Sequence, residues 1–371
     1  MSREIARHLG RAGADVTLMP MSAAPMTCWK RPPVESEGLG FEFDDELARD
    51  NVKIVRIPQH PLHWIFDGRS VAKAVKREIA ASKPDLVLSY YHEGAWLPKL
   101  LEPQGIKFGF ISTWQSYERA LAAPVRKVPR NLWSWMNRKL IIDPHRRGKI
   151  FFATSTFTRG ELVDHIGVPA DRIVFCPLGV TSRFFDLEVE ERPKIRNLLF
   201  FGRVIASKGV ADAIEALGKL AQRGVGDFKF RIVGQGNLDW ARTTAEKFGI
   251  ADRVEVPGPA DDATLKQELE RADVAVLPSH FEAFGLCFAE AQAAGLPVVA
   301  YRAGSVPEIV EHDRTGWLAP FQDIDALSQC LETALRDAAI TRAAGIAGRE
   351  RAKQNFTWEN TASTILSGID R

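Results

Sequence analysis

The chain has 371 residues, of which 45% are hydrophobic and 26% charged, and its formal net charge is +2. This length suits two domains of roughly 150–200 residues, and the composition is that of an ordinary soluble protein with enough apolar residues for two cores. No apolar run approaches the ~18 residues that span a bilayer, and the opening MSREIARHLG lacks the apolar stretch of a signal peptide. The four cysteines have no paired spacing, which favours reduced thiols in a cytoplasm over a disulfide framework or a zinc site.

The charge is distributed unevenly along the chain. Residues 1–183 contain 27 Lys and Arg against 19 Asp and Glu, whereas the remainder contains 22 against 28. A basic first half favours an anionic partner, such as a membrane surface, a phosphorylated acceptor or nucleic acid. The alternative is an imbalance of surface charge without functional meaning.

The first half of the chain alternates short apolar strands with amphipathic helical stretches. In GRSVAKAVKREIAAS (68–82), Val71, Val75 and Ile79 recur at helical spacing. Alternation of this kind predicts a parallel sheet covered by helices. The predicted strands are 15–19, 52–57, 85–90, 107–112, 149–154 and 172–176.

A second and more regular α/β series follows the polar stretch DLEVEERPKIR (186–196). Its predicted strands are 197–202, 228–234, 253–258, 273–278 and 297–301, with helices over 210–224 and 262–272. The sequence thus predicts two Rossmann-like, doubly wound parallel-sheet domains, over 1–180 and 197–356, joined by a linker over 181–196. The last helix, about 357–371, is expected to pack back onto the first domain. Ligands of such folds bind beyond the carboxyl ends of the strands.

The first strand of the second domain ends in a turn with two cations, FFGRVIASKG (200–209). Gly202 and Arg203 form the turn, and Lys208 and Gly209 open the next helix. Two cations on one such turn, beside the amides of a helix N-terminus, suit a diphosphate. The alternative is a solvated pair of surface cations.

The fourth strand of this domain ends in HFEAFGLCFAEAQAAG (280–295), which contains two glutamates eight positions apart. Gly285 permits a tight turn, so that Gly285 and Leu286 offer amides at the positive end of the following helix. Glu282 precedes the turn and Glu290 lies about one turn into the helix. Ionised carboxylates accept hydrogen bonds from sugar hydroxyls, so both are candidates for sugar or ribose recognition. The alternative is a loop carboxylate and one solvated helix residue.

These motifs resemble those of the retaining glycosyltransferases of family 4, the group 1 glycosyl transferases. The resemblance rests on EAFGLCFAE (282–290) with the upstream GR and KG of the 200–209 turn. It continues through 154–180 and through AGLPVVAYRAGSVPEIVEHDRTGWLAP (294–320), so it covers the second domain and the last third of the first. It implies a GT-B architecture, in which two Rossmann-like domains face a central cleft and the second holds most of the donor.

The resemblance also implies roles for single residues. Arg203 and Lys208 would neutralise the departing nucleotide diphosphate, Glu282 would hold the donor sugar, and the leaving phosphate would accept the acceptor's proton in a front-face displacement with retention. The resemblance implies that neither a metal nor another cofactor is needed, and this is physically coherent, because two cations and helix amides can stabilise the developing charge. The donor-binding set that it implies is Gly202, Phe284, Gly285, Leu286 and, for the ribose, Glu290.

The chain departs from the family pattern in three places. Trp114 and Gln115 stand where the family usually has a histidine near the donor sugar, and Leu178 replaces the usual asparagine of the interdomain turn. The chain also begins with a helix, so the first strand of the N-terminal domain and its glycine-rich loop are missing. That strand is central in a doubly wound sheet, and its loss would leave backbone groups unpaired at a cost of several kcal/mol. We expect either that residues upstream of Met1 are absent from this chain or that another segment fills the position.

The candidates for the acceptor side lie in the first domain. YYHEG (90–94) ends a first-domain strand, so His92 and Glu93, together with Trp114 and Gln115, are acceptor-side candidates. The alternative for Glu93 is a helix start, where a carboxylate near the positive end is favourable.

Residues 114–149 combine nine Lys and Arg with interleaved tryptophans, Trp133 and Trp135 among them. Cations interleaved with aromatic rings are typical of peripheral binding to anionic membranes, which would favour a lipid-linked or membrane saccharide acceptor. The alternative is a helix that packs Leu132, Trp135 and Leu140 into its own domain. Nucleic acid is not expected, because the chain carries no recognition motif for it.

The resemblance therefore implies a bacterial-type retaining hexosyl glycosyltransferase that moves a sugar from a nucleotide-sugar donor to an acceptor hydroxyl. Glycan, glycolipid or polysaccharide biosynthesis is the expected setting, in the cytoplasm or peripherally at the inner membrane face. The alternatives are a nucleotide-sugar epimerase of the same fold and a partner subunit that binds a sugar nucleotide without turnover.

Overall fold

The computed structural model describes residues 1–22, 42–58, 63–90, 94, 96–112, 130–188 and 192–369. The chain divides into two compact units. Unit 1 comprises Met1–Pro177 and Trp358–Arg371, and unit 2 comprises Leu178–Thr357. The C-terminal helix therefore belongs to the same unit as the N-terminal segment.

Unit 1 is an α/β unit in which every described strand pair is parallel. The strands are β1 (Val16–Leu18), β2 (Met21–Ser22), β3 (Val52–Ile54), β4 (Ile57–Pro58), β5 (Leu86–Ser89), β6 (Lys107–Ser112), β7 (Ile150–Ala153) and β8 (Ile173–Phe175). Its sheets have the orders β1-β3, β2-β4 and β5-β6-β7-β8. The helices are α1 (Ser2–Arg11), α2 (Glu42–Arg49), α3 (His63–Ala81), α4 (Leu97–Leu101), α5 (Arg130–Asn137), α6 (Asp143–Arg147), α7 (Thr156–Glu161) and the C-terminal α15 (Trp358–Ile369).

The core of unit 1 is built on β6 and β7, whose apolar runs are buried on both faces as expected for central parallel strands. Phe110 and Phe151 stack with ring centroids 5.6 Å apart, and the buried His145 ring lies 3.8 Å from Phe110. The C-terminal helix α15 packs closely against this sheet, since a Cβ at Gly368 would lie 2.8 Å from the Phe152 ring.

Unit 2 contains a six-stranded parallel sheet. The strands are β9 (Asn197–Phe201), β10 (Lys229–Val233), β11 (Val254–Gly258), β12 (Val274–Val276), β13 (Val298–Tyr301) and β14 (Gly316–Ala319). Their order is β11-β10-β9-β12-β13-β14, which is the 3-2-1-4-5-6 order of a doubly wound fold, and the order reverses between β9 and β12. The helices are α8 (Val210–Gln222), α9 (Leu238–Lys247), α10 (Asp262–Arg271), α11 (Leu286–Ala293), α12 (Val306–Ile309), α13 (Ile324–Arg336) and α14 (Ala338–Asn355).

Aspartates begin several helices of unit 2. Asp261 accepts a hydrogen bond from Thr264 N at 2.8 Å, Asp323 from Ala326 N at 2.9 Å, and Asp337 from Ala339 N at 2.8 Å. Such caps satisfy amides that the first turn leaves unpaired, each with about 1 kcal/mol of stabilisation.

The predicted fold class is confirmed, because both units are parallel α/β folds. Three details of the strand prediction are wrong. The predicted strand 52–57 is two strands, β3 and β4, and the short strands β2 and β14 had no counterpart in the prediction. The expected gap at the first strand of the N-terminal domain stays a prediction. Among the helices that the structure describes, none combines the length and the hydropathy needed to cross a bilayer.

Candidate donor site

The loops that follow β9 and β12 flank the point where the strand order of unit 2 reverses. Connections from these two neighbouring strands run to opposite sides of the sheet, which opens a crevice at their carboxyl ends. Residues 202–209 follow β9, and residues 277–285 follow β12. Both loops carry residues that the sequence singled out.

The 202–209 loop is held against the end of β10 by backbone hydrogen bonds. Gly202 N donates to Val233 O at 3.0 Å, and Val204 N donates to Gln235 O at 2.7 Å. A Cβ at Gly234 would lie only 1.7 Å from Gly202 O, so only glycine allows this approach. The loop that bears the two cations is therefore rigidly placed.

Lys208 and Glu282 form an ion pair across the crevice. Lys208 Nζ lies 2.5 Å from Glu282 Oε1, and the two side chains are only 14% and 9% exposed. The loops approach closely here because Gly209, at a φ of +68°, lies against Pro278. A Cβ at Gly209 would lie only 1.9 Å from the carbonyl oxygen of Pro278. Each charge of the pair compensates the other in a poorly hydrated position.

Arg203 presents a second cation at the same crevice. Its side chain is exposed, and within the part of the chain that the structure describes it has no hydrogen-bond or ion-pair partner. A guanidinium offers several donors in a planar fork that matches a phosphate. Arg203 is thus available to an anionic ligand.

The backbone of the Glu282 loop is fixed by residues that follow β13. Ser305 N donates to Glu282 O at 3.1 Å, and the buried Ser305 hydroxyl donates to Phe284 O at 2.8 Å. Gly304 permits this contact, since a Cβ there would lie 2.3 Å from Glu282 O. Phe284 is itself buried and meets Phe356 edge to face at 5.8 Å.

Gly285 begins helix α11 with a φ of +90°, a conformation that favours glycine. A Cβ at this position would also lie 2.8 Å from the Phe288 ring. Phe288 N donates to Gly285 O at 3.0 Å, which leaves the amides of Leu286 and Cys287 without partners inside the helix. These amides provide donors at the positive end of the helix dipole.

Glu290 lies one turn into α11 and is partly buried. Burial raises the pKa of its carboxyl group from 4.5 to about 7, and Arg183 acts in the opposite direction. Among the described residues its carboxylate has no hydrogen-bond or salt-bridge partner. Arg183 is paired with Asp262, so it does not neutralise Glu290 directly. Glu290 is therefore a carboxyl group that changes charge near neutral pH.

Comparisons with known proteins identify the family. The model for "Glycosyl transferases group 1" matches residues 183–351, and the model for "Glycosyltransferase Family 4" matches residues 1–183. The chain is 36% identical to glycogen synthase of Mycobacterium tuberculosis over 369 residues, which cover 96% of this chain and 86% of that protein. The chain belongs to the group 1 glycosyltransferases of the family 4 type.

Solved structures of other proteins share the glycosyltransferase's fold. Sucrose-phosphate synthase of Thermosynechococcus elongatus has a TM-score of 0.75 at 20% identity, covering 98% of this chain and 90% of its own. Anabaena HepE in complex with UDP-glucose has a TM-score of 0.71 at 17% identity, covering 99% and 95%. The likeness confirms the GT-B fold that the sequence predicts.

Unit 2 of the glycosyltransferase brings the predicted donor residues together on the loops of one sheet edge. The acceptor-side candidates lie outside the described residues. Ser305, which fixes the Glu282 loop, was not among the predicted site residues. The Gly304–Ser305 pair shortly before Pro307 is a turn signal that could have marked its loop. The donor-side residues are Gly202, Arg203, Lys208, Glu282, Phe284, Gly285, Leu286 and Glu290, and the acceptor-side candidates are His92, Glu93, Trp114 and Gln115.

Proposed function

We propose that this glycosyltransferase transfers a hexose, with retention of configuration, from a nucleotide-sugar donor to an acceptor hydroxyl in the biosynthesis of glycogen or another polysaccharide. The observation that carries the proposal is the Lys208–Glu282 ion pair at the point where the strand order of unit 2 reverses. This pair places a cation that can bind a diphosphate within hydrogen-bond distance of a carboxylate that can bind sugar hydroxyls.

The proposed binding mode follows from the charges on the two loops. Arg203 and Lys208 contact the diphosphate, and the free amides that begin at Leu286 donate to its oxygens. Glu282 accepts hydrogen bonds from the donor sugar, while Glu290 accepts from the ribose. Glu282 also compensates the charge of the partly buried Lys208 ammonium.

The proposed reaction breaks the bond between the anomeric carbon and the diphosphate oxygen. The bonding electrons leave with the diphosphate, and Arg203 and Lys208 stabilise the charge that develops there. The acceptor oxygen bonds to the anomeric carbon on the same face, and its proton passes to the leaving phosphate oxygen. Because the leaving group accepts this proton, no separate protein base is needed.

We propose that this chemistry proceeds without a metal ion. Among the described residues, no group of three or more His, Cys, Asp or Glu side chains is arranged to hold a metal. Arg203, Lys208 and the helix amides are positive groups that can take the part played elsewhere by a divalent cation.

The relatives support the choice of donor and product class. HepE is described in complex with UDP-glucose, and the relative from M. tuberculosis is a glycogen synthase. We therefore favour a nucleoside-diphosphate hexose as donor and an α-glucan or another polysaccharide as acceptor.

A nucleotide-sugar panel read by thermal shift tests the proposal. UDP-glucose, ADP-glucose and GDP-mannose are added to the full chain, and a ligand at 100 times its Kd should add about 2.7 kcal/mol to the stability. Transfer to glycogen is then measured with the donor that gives the largest shift. Sugar transfer that requires an acceptor supports the proposal. Epimerisation of the donor in the absence of an acceptor would favour an epimerase. Donor binding without any product would favour a partner subunit.

We further propose that the enzyme works peripherally on the cytoplasmic face of an anionic membrane. The supporting observation is that Leu132 and Trp135 on α5 are 46% and 58% exposed. Exposed apolar side chains on a helix suit a membrane-facing surface better than the alternative, in which Leu132, Trp135 and Leu140 pack into their own domain. Arg138 follows Trp135 and is also exposed, so apolar and cationic groups share this surface as membrane binding requires.

Co-sedimentation with vesicles tests this surface. The wild type should pellet with vesicles that contain phosphatidylserine or phosphatidylglycerol, but not with neutral vesicles, and binding should weaken as salt rises through the physiological range. Trp135→Ser should reduce the bound fraction. Ile346→Ser removes a side chain that is 68% exposed on α14 and serves as the matched control. Equal recovery in the supernatant with and without anionic vesicles would favour an acceptor free in solution.

A further inference from the structure

Asp212, His280 and Tyr301 form a hydrogen-bonded cluster beside the donor loops of unit 2. Asp212 lies in the first turn of α8, and its Oδ2 accepts a hydrogen bond from the Tyr301 hydroxyl at 3.1 Å. The same oxygen lies 2.9 Å from His280 Nε2. Because an ionised carboxylate can only accept, His280 Nε2 carries the hydrogen of this bond.

His280 is attached to the cation loop at a second point. Its backbone N donates to Ser207 O at 2.9 Å, so His280 is bound to the chain on both sides of Lys208. His280 also precedes Glu282 by two residues. The backbone bond thus connects the loop that carries the ammonium with the loop that carries the carboxylate, and the side-chain bond fixes the second loop to the first turn of α8, directly after the first loop.

The cluster is partly shielded from water. Tyr301 is fully buried, and burial, together with the Asp212 carboxylate, raises the pKa of its hydroxyl so that it stays a donor. The Asp212 and His280 side chains are 20% and 22% exposed, and the Phe321 ring meets His280 edge to face at 5.8 Å. Hydrogen bonds in such surroundings hold their geometry better than exposed ones.

We propose that His280, oriented by Asp212, is a positioning residue that sets the placement of Lys208 and Glu282 for turnover. The inference rests on the proposed function. Neither His280 nor Asp212 contacts the donor in this account; both act through the loops they join. An error of about 1 Å in the placement of reacting groups can cost on the order of 100-fold in rate, so a loosened connection should appear in kcat.

Three variants of the full chain test the proposal. His280→Ala should lower kcat by about 10- to 100-fold, while KM for the donor from the panel changes by less than roughly threefold. His280→Gln should recover most of the rate, because the glutamine amide nitrogen can replace the ring N–H toward Asp212. Tyr301→Phe removes a hydrogen bond to the same carboxylate without touching either loop, so it should lower Tm and leave kcat within about twofold.

Hydrogen exchange gives a readout that does not depend on activity. His280→Ala should speed amide exchange in residues 206–209 and 279–285, His280→Gln should not, and the rest of unit 2 should stay protected. A wild type that transfers no sugar would contradict the proposed function. The exchange rates would still test whether His280 connects the two loops, because they do not depend on activity. The positioning role is overturned if His280→Ala keeps the wild-type kcat, if its two loops exchange at wild-type rates, or if Tyr301→Phe lowers kcat as much as His280→Ala does.

Discussion

Separating Lys208 from Glu282 should destabilise unit 2, because the partner left behind is buried. In Lys208→Ala, the Glu282 carboxylate keeps a side chain that is only 9% exposed and loses its counter-ion. Breaking a buried pair in this way costs about 3–5 kcal/mol, and we take about 3 kcal/mol because the crevice retains some access to water. For a unit of this size each kcal/mol shifts Tm by about 2–4 °C, so Tm should fall by about 6–12 °C.

A double-mutant cycle in urea, followed by circular dichroism on the full chain, measures the coupling. Lys208→Ala and Glu282→Ala together should be less destabilising than their sum by about 2 kcal/mol. The matched control is the Lys219–Asp325 pair, which is 2.6 Å long but has side chains 37% and 71% exposed. Its coupling should be much weaker than that of Lys208–Glu282, because solvent screens an exposed pair. Equal coupling in the two pairs, or a Lys208→Ala variant as stable as the wild type, would refute the reasoning.

Three further predictions concern the carboxylates and the absence of a metal. Since burial raises the folded-state pKa of Glu290 from 4.5 to about 7, its protonated form stabilises the fold below pH 4.5, and this stabilisation is lost as pH rises to about 7. Glu290→Gln should thus gain stability over the wild type across that window in urea titrations at successive pH values; a difference independent of pH would contradict this. Glu290→Ala should weaken binding of the free nucleotide, whereas Glu282→Ala should impair transfer and leave that affinity nearly unchanged. Calorimetry measures the affinity and rate assays measure the transfer. If the two variants show each other's effects, the placement of the two carboxylates is wrong. Transfer should continue in excess EDTA; full loss that magnesium or manganese restores would refute the metal-free reaction.

Most of the unit 2 sheet could be predicted from sequence because its central strands, such as β9, β12 and β13, are buried on both faces. Such strands read as continuous apolar runs, as in NLLFF of β9, and their ends fall within two residues of the prediction. Strand β14 (GWLA) was missed because it begins with glycine, which weakens a strand pattern, so it did not stand out from the surrounding loops.

The residues of the donor loops could also be predicted, whereas their contacts could not. Lys208 and Glu282 were marked by their positions at strand ends, but they are 74 residues apart, and their pairing depends on β9 and β12 being neighbours. The same holds for Asp212 and His280, which are separated by 68 residues. Periodicity and turn chemistry specify local structure, and strand order is a property of the whole sheet.

The central claim is that the loops of unit 2 bind the donor diphosphate and stabilise its departure. The initial rate of sugar transfer by Arg203→Ala tests it most directly, because Arg203 makes no ion pair within the described part of the chain and its loss should leave the fold intact. Arg336→Ala, at a side chain that is 76% exposed on α13, controls for the removal of a surface arginine. With the donor chosen from the panel, Arg203→Ala should be slower by about 100-fold, as expected for one lost transition-state donor, and Arg336→Ala should match the wild type. Equal rates for all three proteins would contradict the claim.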